Sequence, residues 1–189
     1  MIHELIITIL ISLIIVILRK RKISSLVDVE IKGLPLFAAS FFLQFVSGII
    51  VKNFNDTTIG QYVYTFFPYI HSMSYQLILI GIVLNIEKNY MKLFLIGTLM
   101  NFTVILFNGM KMPVRIPQNY PFSWENYSYL AYGKDLIHTA LTTDTRLKIL
   151  ADIIILNDPY PFNKTISIGD IFLLFGFGWF IQEETKKSP

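Results

Sequence analysis

The sequence contains no cysteine, which excludes disulfides, thiolate metal sites and a cysteine nucleophile. Charge is scarce as well. Asp, Glu, Lys and Arg make up 15% of the 189 residues, against about 25% in an ordinary soluble domain. No basic run alternates with aromatic residues on a polar face, so nothing marks a nucleic-acid partner. Glycine-rich phosphate loops, a serine nucleophile elbow and internal repeats are missing too. His3, His71 and His138 lie far apart and outside any ligand spacing, so neither a metal nor another cofactor is expected.

What fills the chain instead is apolar: 53% of residues are hydrophobic and the mean hydropathy is +0.55. Crossing a bilayer core of about 30 Å takes about 20 residues at about 1.5 Å each. The apolar runs predict five spans, near 2–18, 34–51, 63–86, 93–108 and 166–181, bundled as a single integral membrane domain over 1–189. Residues 52–61 and 109–165 are polar connections. The longer one carries Tyr120, Phe122, Trp124, Tyr127, Tyr129 and Tyr132, as expected of chain lying at a membrane interface. Within it, residues 134–150 read as a surface helix, and Thr142-Thr143-Asp144-Thr145-Arg146 as a helix start. The fold class expected is an all-α membrane protein with one long extracytoplasmic loop on the membrane surface.

The run 2–18 is followed at once by Arg19-Lys20-Arg21-Lys22. A secretory signal peptide has the opposite order, so an uncleaved anchor is expected. Lys88, Lys92, Lys186 and Lys187 fall in short segments on the same side as that cluster, while most other cations, Arg115 and Arg146 among them, fall in the long loop. The positive-inside rule weighs short loops. It predicts a multi-pass cell-membrane protein with its N-terminus outside and its C-terminus cytoplasmic.

With that orientation Gln44, His71, Asn108 and Asp170 lie in the outer half of the membrane, with Asn101 deeper and Asp152 in the outer loop. Polar groups gathered on one side suggest a cavity open to the outside. Each of Gln44, Asn101 and Asn108 taken alone reads more simply as interhelical glue. Asp170 has its own structural explanation, because Ser167-Ile168-Gly169-Asp170 has capping-box spacing at a helix start. Asp152 sits between Leu150-Ala151 and Ile153-Ile154-Ile155 and needs a partner. The candidates are Arg146, Lys148, His138 or a proton shared with Asp170. Gly176-Phe177-Gly178 lies inside the last span and reads as a close-packing site.

Taken together, the basic turn with Ile23-Ser24-Ser25-Leu26, Gln44, Asn101, Asn108-Gly109-Met110-Lys111-Met112-Pro113-Val114, Asp144-Thr145-Arg146-Leu147, Leu150-Ala151-Asp152 and Ser167-Ile168-Gly169-Asp170 resemble an uncharacterised family of small bacterial membrane proteins, a domain of unknown function. This resemblance covers nearly the whole chain and implies no activity. A more local one does. Asp152, Phe162-Asn163, Asp170 and the earlier Gly97 and Asn101 resemble lipoprotein signal peptidases, membrane aspartic proteases that cut at the outer membrane surface. It implies Asp152 and Asp170 as catalytic residues. The Asp-Arg pair of those enzymes is missing, since Phe102-Thr103-Val104-Ile105 stand in its place, and the intervening loop is longer.

Two functions follow. One is a bilayer-embedded binding protein whose cavity, lined by Gln44, His71, Asn101, Asn108, His138 and Arg146, takes a lipid, a lipopeptide, a small molecule or another membrane protein. The alternative is an aspartic hydrolase in which ionised and protonated members of the Asp152–Asp170 pair divide base and acid roles.

Overall fold

A computed structural model describes residues 2–116, 123–156, 160 and 164–186. Helix α1 (Ile2–Leu18) ends at the basic cluster, which leads into a single 3-10 turn at Ile23–Leu26. Gly33 then takes a left-handed conformation (φ 68°) and a proline follows in the first turn of α2 (Leu34–Phe54), where the lost N–H costs nothing. The next reversal is tight. The Thr57 hydroxyl accepts the Gly60 amide at 3.1 Å and so starts α3 (Thr58–Val83). The expected polar loop over 52–61 is therefore largely helical, because the Thr57 cap satisfies the helix start within three residues of the end of α2. α4 (Asn89–Phe107) follows, and α6 (Ile168–Glu184) ends the helical set. Helices α2, α3 and α4 are long and apolar enough to cross a membrane, and α1 is a shorter apolar helix.

Residues 109–165 depart from expectation. The described part holds four short strands, so the fold is not wholly helical: β1 (Met112–Val114), β2 (His138–Ala140), β3 (Ile154–Leu156) and β4 (Lys164–Ile166). β1 and β2 pair in parallel, with Met112 opposite His138, and β3 and β4 pair antiparallel, with Ile154 opposite Ile166. A single parallel bridge between Val114 and Asp152 links the two ladders.

The surface helix expected over 134–150 does not form. Asp135 accepts the Ile137 and His138 amides, and Thr145 Oγ1 accepts the Thr142 amide. Such short side-chain bonds compete with helical ones. Leu147 is left-handed (φ 53°), which a helix also forbids. Among the described residues of this loop the α-helix is α5 (Ser123–Ala131) instead, and 134–150 ends in only a 3-10 turn at Lys148–Leu150. Tyr120, Phe122, Pro159, Pro161, Phe162, Asn163, Lys187 and the side chain of Trp124 lie outside the described residues.

Helix α2 packs on α3, α3 on α4, α4 on α6, and α6 on α1. The contacts define two ends. Glu4 at the start of α1 reaches Lys164 beside the strands, and Asn101 of α4 reaches Asp170 near the start of α6; this is the sheet end. Arg21 reaches the Gln182 carbonyl, and Tyr90 reaches Glu184; this is the basic end. Gly97 and Gly169 let α4 and α6 approach closely, for a Cβ on Gly97 would stand 2.6 Å from the Gly169 carbonyl oxygen.

Candidate functional site

The site lies where the strands cap the helices at the sheet end. Asp152 is held there by its backbone: its amide donates to the Pro113 carbonyl at 3.0 Å, and its carbonyl accepts the Arg115 amide at 2.8 Å. Ala151 beside it packs into an apolar cluster with Val104, Ile105 and Met112. The apolar neighbours that make Asp152 conspicuous in the sequence are thus what anchors it. β1 also carries β2 along its other flank, which brings His138 to the same place.

Asp170 is held from two directions. The Ser167 hydroxyl accepts the Asp170 amide at 2.9 Å, and the Ser167 amide donates to Asp170 Oδ2 at 3.3 Å, completing the expected capping box. Asn101 Nδ2 donates to Asp170 Oδ1 at 2.9 Å, and Asn101 Oδ1 accepts the Ser167 hydroxyl at 2.8 Å. Asn101 therefore ties α4 to the helix cap, a role that includes glue.

Asp152, Asp170, Asn101, His71, Tyr75 and His138 line one cavity of about 180 Å³. A second cavity of about 350 Å³, bounded by Val114, Ile116, Tyr129, Leu130 and Arg115, shares Asp152, His138, Lys164 and Thr165 with the first. The two are an inner and an outer chamber meeting at Asp152. His71 stacks on Phe67 and meets the edge of Tyr75, which in turn stacks on Phe102. Its Nδ1 lies 3.2 Å from Gln44 Oε1.

Gln44 thus acts on the site through His71. Asn108 and Arg146 form a separate link: the Arg146 amide donates to Asn108 Oδ1, and Asn108 Nδ2 donates to the Arg146 carbonyl, each at 2.9 Å. Neither lines the two chambers. Lys148 donates to the Thr143 carbonyl, so of the partners considered for Asp152 only His138 and Asp170 share its cavity.

Sequence reasoning passes over Asp135, Lys164 and Glu4. Asp135 Oδ1 lies 3.2 Å from His138 Nδ1 and fixes the ring; the three-residue spacing was the available signal. Lys164 Nζ lies 2.9 Å from Glu4 Oε2, and the Tyr160 hydroxyl donates to Glu4 Oε1 at 2.8 Å. This pairing joins residues 160 positions apart and has no local signature.

Electrostatics follow from burial. Asp152 is pushed up to about 7 by burial and then by the charge of Asp170, with His138 opposing. Burial alone would raise Asp135, but His138 and the two amides outweigh it and hold the carboxyl at about 2. Burial likewise pulls His138 down, yet the bond to Asp135 and its charge leave the imidazole above its ordinary value. Among the described residues no group of three or more His, Asp or Glu is arranged to hold a metal ion.

These features define a mostly helical protein with three helices of membrane-crossing length and two adjoining cavities at one end that share Asp152 and His138 in their walls. Residues 28–182 match a family described as Family of unknown function (DUF5317), and the chain belongs to it. No curated protein and no solved structure matches the chain.

Proposed function

We propose that the chain is a multi-pass membrane protein whose two-chambered cavity opens to the outer face and binds a lipid, a small molecule or part of a membrane partner. At about 1.5 Å per residue the 17-residue helices α1 and α6 are each about 25 Å long, enough to join α2, α3 and α4 as spans in a slightly thinned or polar-lined bilayer. The basic end then faces the cytoplasm. One observation carries the binding reading: Asp152 Oδ1 and His71 Nε2, both fully buried, have no hydrogen-bond partner among the described residues, and both residues line the inner chamber. A buried polar atom without a partner costs about 1–3 kcal/mol, a cost a ligand would relieve.

The test is native mass spectrometry of protein extracted from membranes in mild detergent. A non-protein species retained by the unaltered chain and lost from a folded Asp152→Leu variant is expected. Identical bound species in both would overturn the reading.

The second reading is an aspartic membrane hydrolase resembling lipoprotein signal peptidase. It is supported by two carboxyl groups in one cavity, one of them poised near neutrality. The ionised carboxylate would take a proton from water, and the protonated partner would polarise the scissile carbonyl. Against it, both oxygens of Asp170 are already engaged. Cleavage of a synthetic lipopeptide, abolished by Asp152→Asn and by Asp170→Asn, would support it. If Asp170→Asn only lowers the melting temperature while cleavage survives, Asp170 is a helix cap and this reading fails.

A further inference from the structure

We propose that the inner chamber is a site for a primary ammonium group, with the outer chamber holding the apolar body to which that group is attached. The proposal rests on the binding reading and specifies its ligand. Its first support is the character of the two unpartnered atoms. Gln44 Oε1 can only accept, so His71 donates to it from Nδ1. In that tautomer Nε2 carries a lone pair. Asp152 Oδ1 is an acceptor as well. Two acceptors, on side chains only 4% and 8% exposed, line one chamber and call for a ligand rich in N–H or O–H donors.

The second support is the charge balance. The chamber holds two acids, Asp152 and Asp170, and neither makes an ion pair with a described cation. Each cation in the chamber wall has a second acid as its nearest partner, Lys164 at 2.9 Å from Glu4 of α1 and His138 at 3.2 Å from Asp135, so each only partly offsets the charge of Asp170 and Asp152. Asp170 is satisfied by the neutral Asn101 amide and the Ser167 backbone. A buried carboxylate is stable only when paired or protonated, so an incoming cation displaces the proton of Asp152.

Size and shape make the choice among cations. A chamber of about 180 Å³ has room for about six waters at about 30 Å³ each, enough for an ammonium group and one or two carbons. An ammonium can give two of its three N–H bonds to Asp152 and His71, the two acceptors without a described partner. A quaternary ammonium has no N–H and needs a cage of aromatic faces, whereas one face of Tyr75 is covered by Phe102 and its ring meets His71 at a T-shaped contact. Val114, Ile116, Tyr129 and Leu130 give the outer chamber an apolar wall for the remainder.

Binding should strengthen with pH. The groups facing Asp152 are Asp170 of α6, His71 and Tyr75 of α3, His138 of β2, Lys164 of β4, and Arg115 and Asp135 at the outer chamber. As pH rises from 6 to 8, Asp152 ionises, and that change favours a cation.

The experiment is isothermal titration calorimetry on the full-length protein in detergent, with n-octylamine as probe and octyltrimethylammonium and 1-octanol as controls of equal chain length. Octylamine is expected to bind about tenfold more tightly at pH 8 than at pH 6, as a carboxyl half-ionised near pH 7 dictates, and to release a proton at pH 6. Asp152→Asn, close in shape to the original, should weaken octylamine about tenfold and remove the pH dependence. Octyltrimethylammonium and 1-octanol should bind at least tenfold more weakly. Equal binding of octyltrimethylammonium overturns the primary-ammonium claim, and equal binding of 1-octanol overturns a cationic ligand while leaving the cavity a binding site. If none binds although mass spectrometry finds an Asp152-dependent species, this inference falls alone; if that species is also missing, both readings fall. Free ethanolamine and nanodiscs of phosphatidylethanolamine against phosphatidylcholine separate the two sources of the group. Competition of octylamine by ethanolamine assigns a soluble amine, and weakening of octylamine only in phosphatidylethanolamine assigns a headgroup.

Discussion

The two ends of the bundle differ in how completely they satisfy their buried polar groups. At the basic end, Asn85 is fully buried and donates to the Lys32 and Gly81 carbonyls while accepting the Lys32 amide. Tyr90, also fully buried, donates its hydroxyl to Glu184 at 2.8 Å, and Lys88 lies 3.8 Å from the same carboxylate. These groups fasten helix ends together with their valences filled. At the sheet end the buried Asp152 and His71 each keep one acceptor without a described partner, beside a cavity. Satisfied networks stiffen a structure, and unsatisfied ones cost stability. The basic end therefore has the chemistry of a clamp, and the sheet end leaves open the acceptors on which the proposed site rests.

If that contrast is right, truncation at the clamp should be the most damaging change. Tyr90→Ala removes a fully buried ring that meets Phe180 edge-on at 5.1 Å and also leaves Glu184 without its hydroxyl. It should cost about 4–5 kcal/mol, read as a large fall in melting temperature in detergent. A fall of only a degree or two would show that the basic end is not the clamp.

At the sheet end the sign should reverse. The folded Asp152 carboxyl sits at about 7 against an ordinary 3.8, so between those values the folded state holds a proton that the unfolded state has lost. Stability must then fall as pH rises from about 4 to about 7, by at most about 4 kcal/mol. Asp152→Asn removes that loss. It should be close to neutral at pH 4 and stabilising by about 2–4 kcal/mol at pH 8. Thermal melts at the two pH values decide it, and destabilisation at pH 8 would mean that Asp152 is a structural partner like Glu184.

The smallest effect sharpens the comparison inside the basic end itself. Lys32 joins Asn85 through its backbone but meets Glu87 through a side chain that is 68% exposed. Lys32→Ala should cost no more than about 0.5 kcal/mol, because an exposed ion pair contributes little and the backbone clamp survives. A loss above about 2 kcal/mol would show that the side chain carries the link.

The sequence lacks cysteine, so orientation can be tested on a clean background. Single cysteines replacing Tyr132 and Lys20, treated with an impermeant thiol reagent in intact cells, should label at 132 and not at 20. The reverse pattern would turn the cavity toward the cytoplasm.

Much of the helical frame was legible in order, because an apolar helix of membrane-crossing length is announced by an unbroken apolar run that needs no tertiary context. The helix start at Ser167 was legible for the same reason: a capping box is complete within four residues. The long loop misled, since 134–150 carries apolar residues at roughly helical spacing while Asp135 and Thr145 bind local amides that a helix would need.

By itself the sequence determined that the protein is built from apolar helices, that Ser167 and Asp170 have capping-box spacing at the start of the last of them, and that Asp152 lies in apolar chain and must find a partner. Those are local matters of hydropathy, spacing and hydrogen-bonding capacity. Only the tertiary structure decided that β1 brings Asp152 and His138 to one cavity with His71 and Asp170, that Asp135 fixes His138, and that Glu4 of α1 takes the charge of Lys164. These partners are separated by up to 160 residues. Nothing in a sequence window can state which of two distant acids will claim a cation, because that choice is made by the packing of helices and the register of strands.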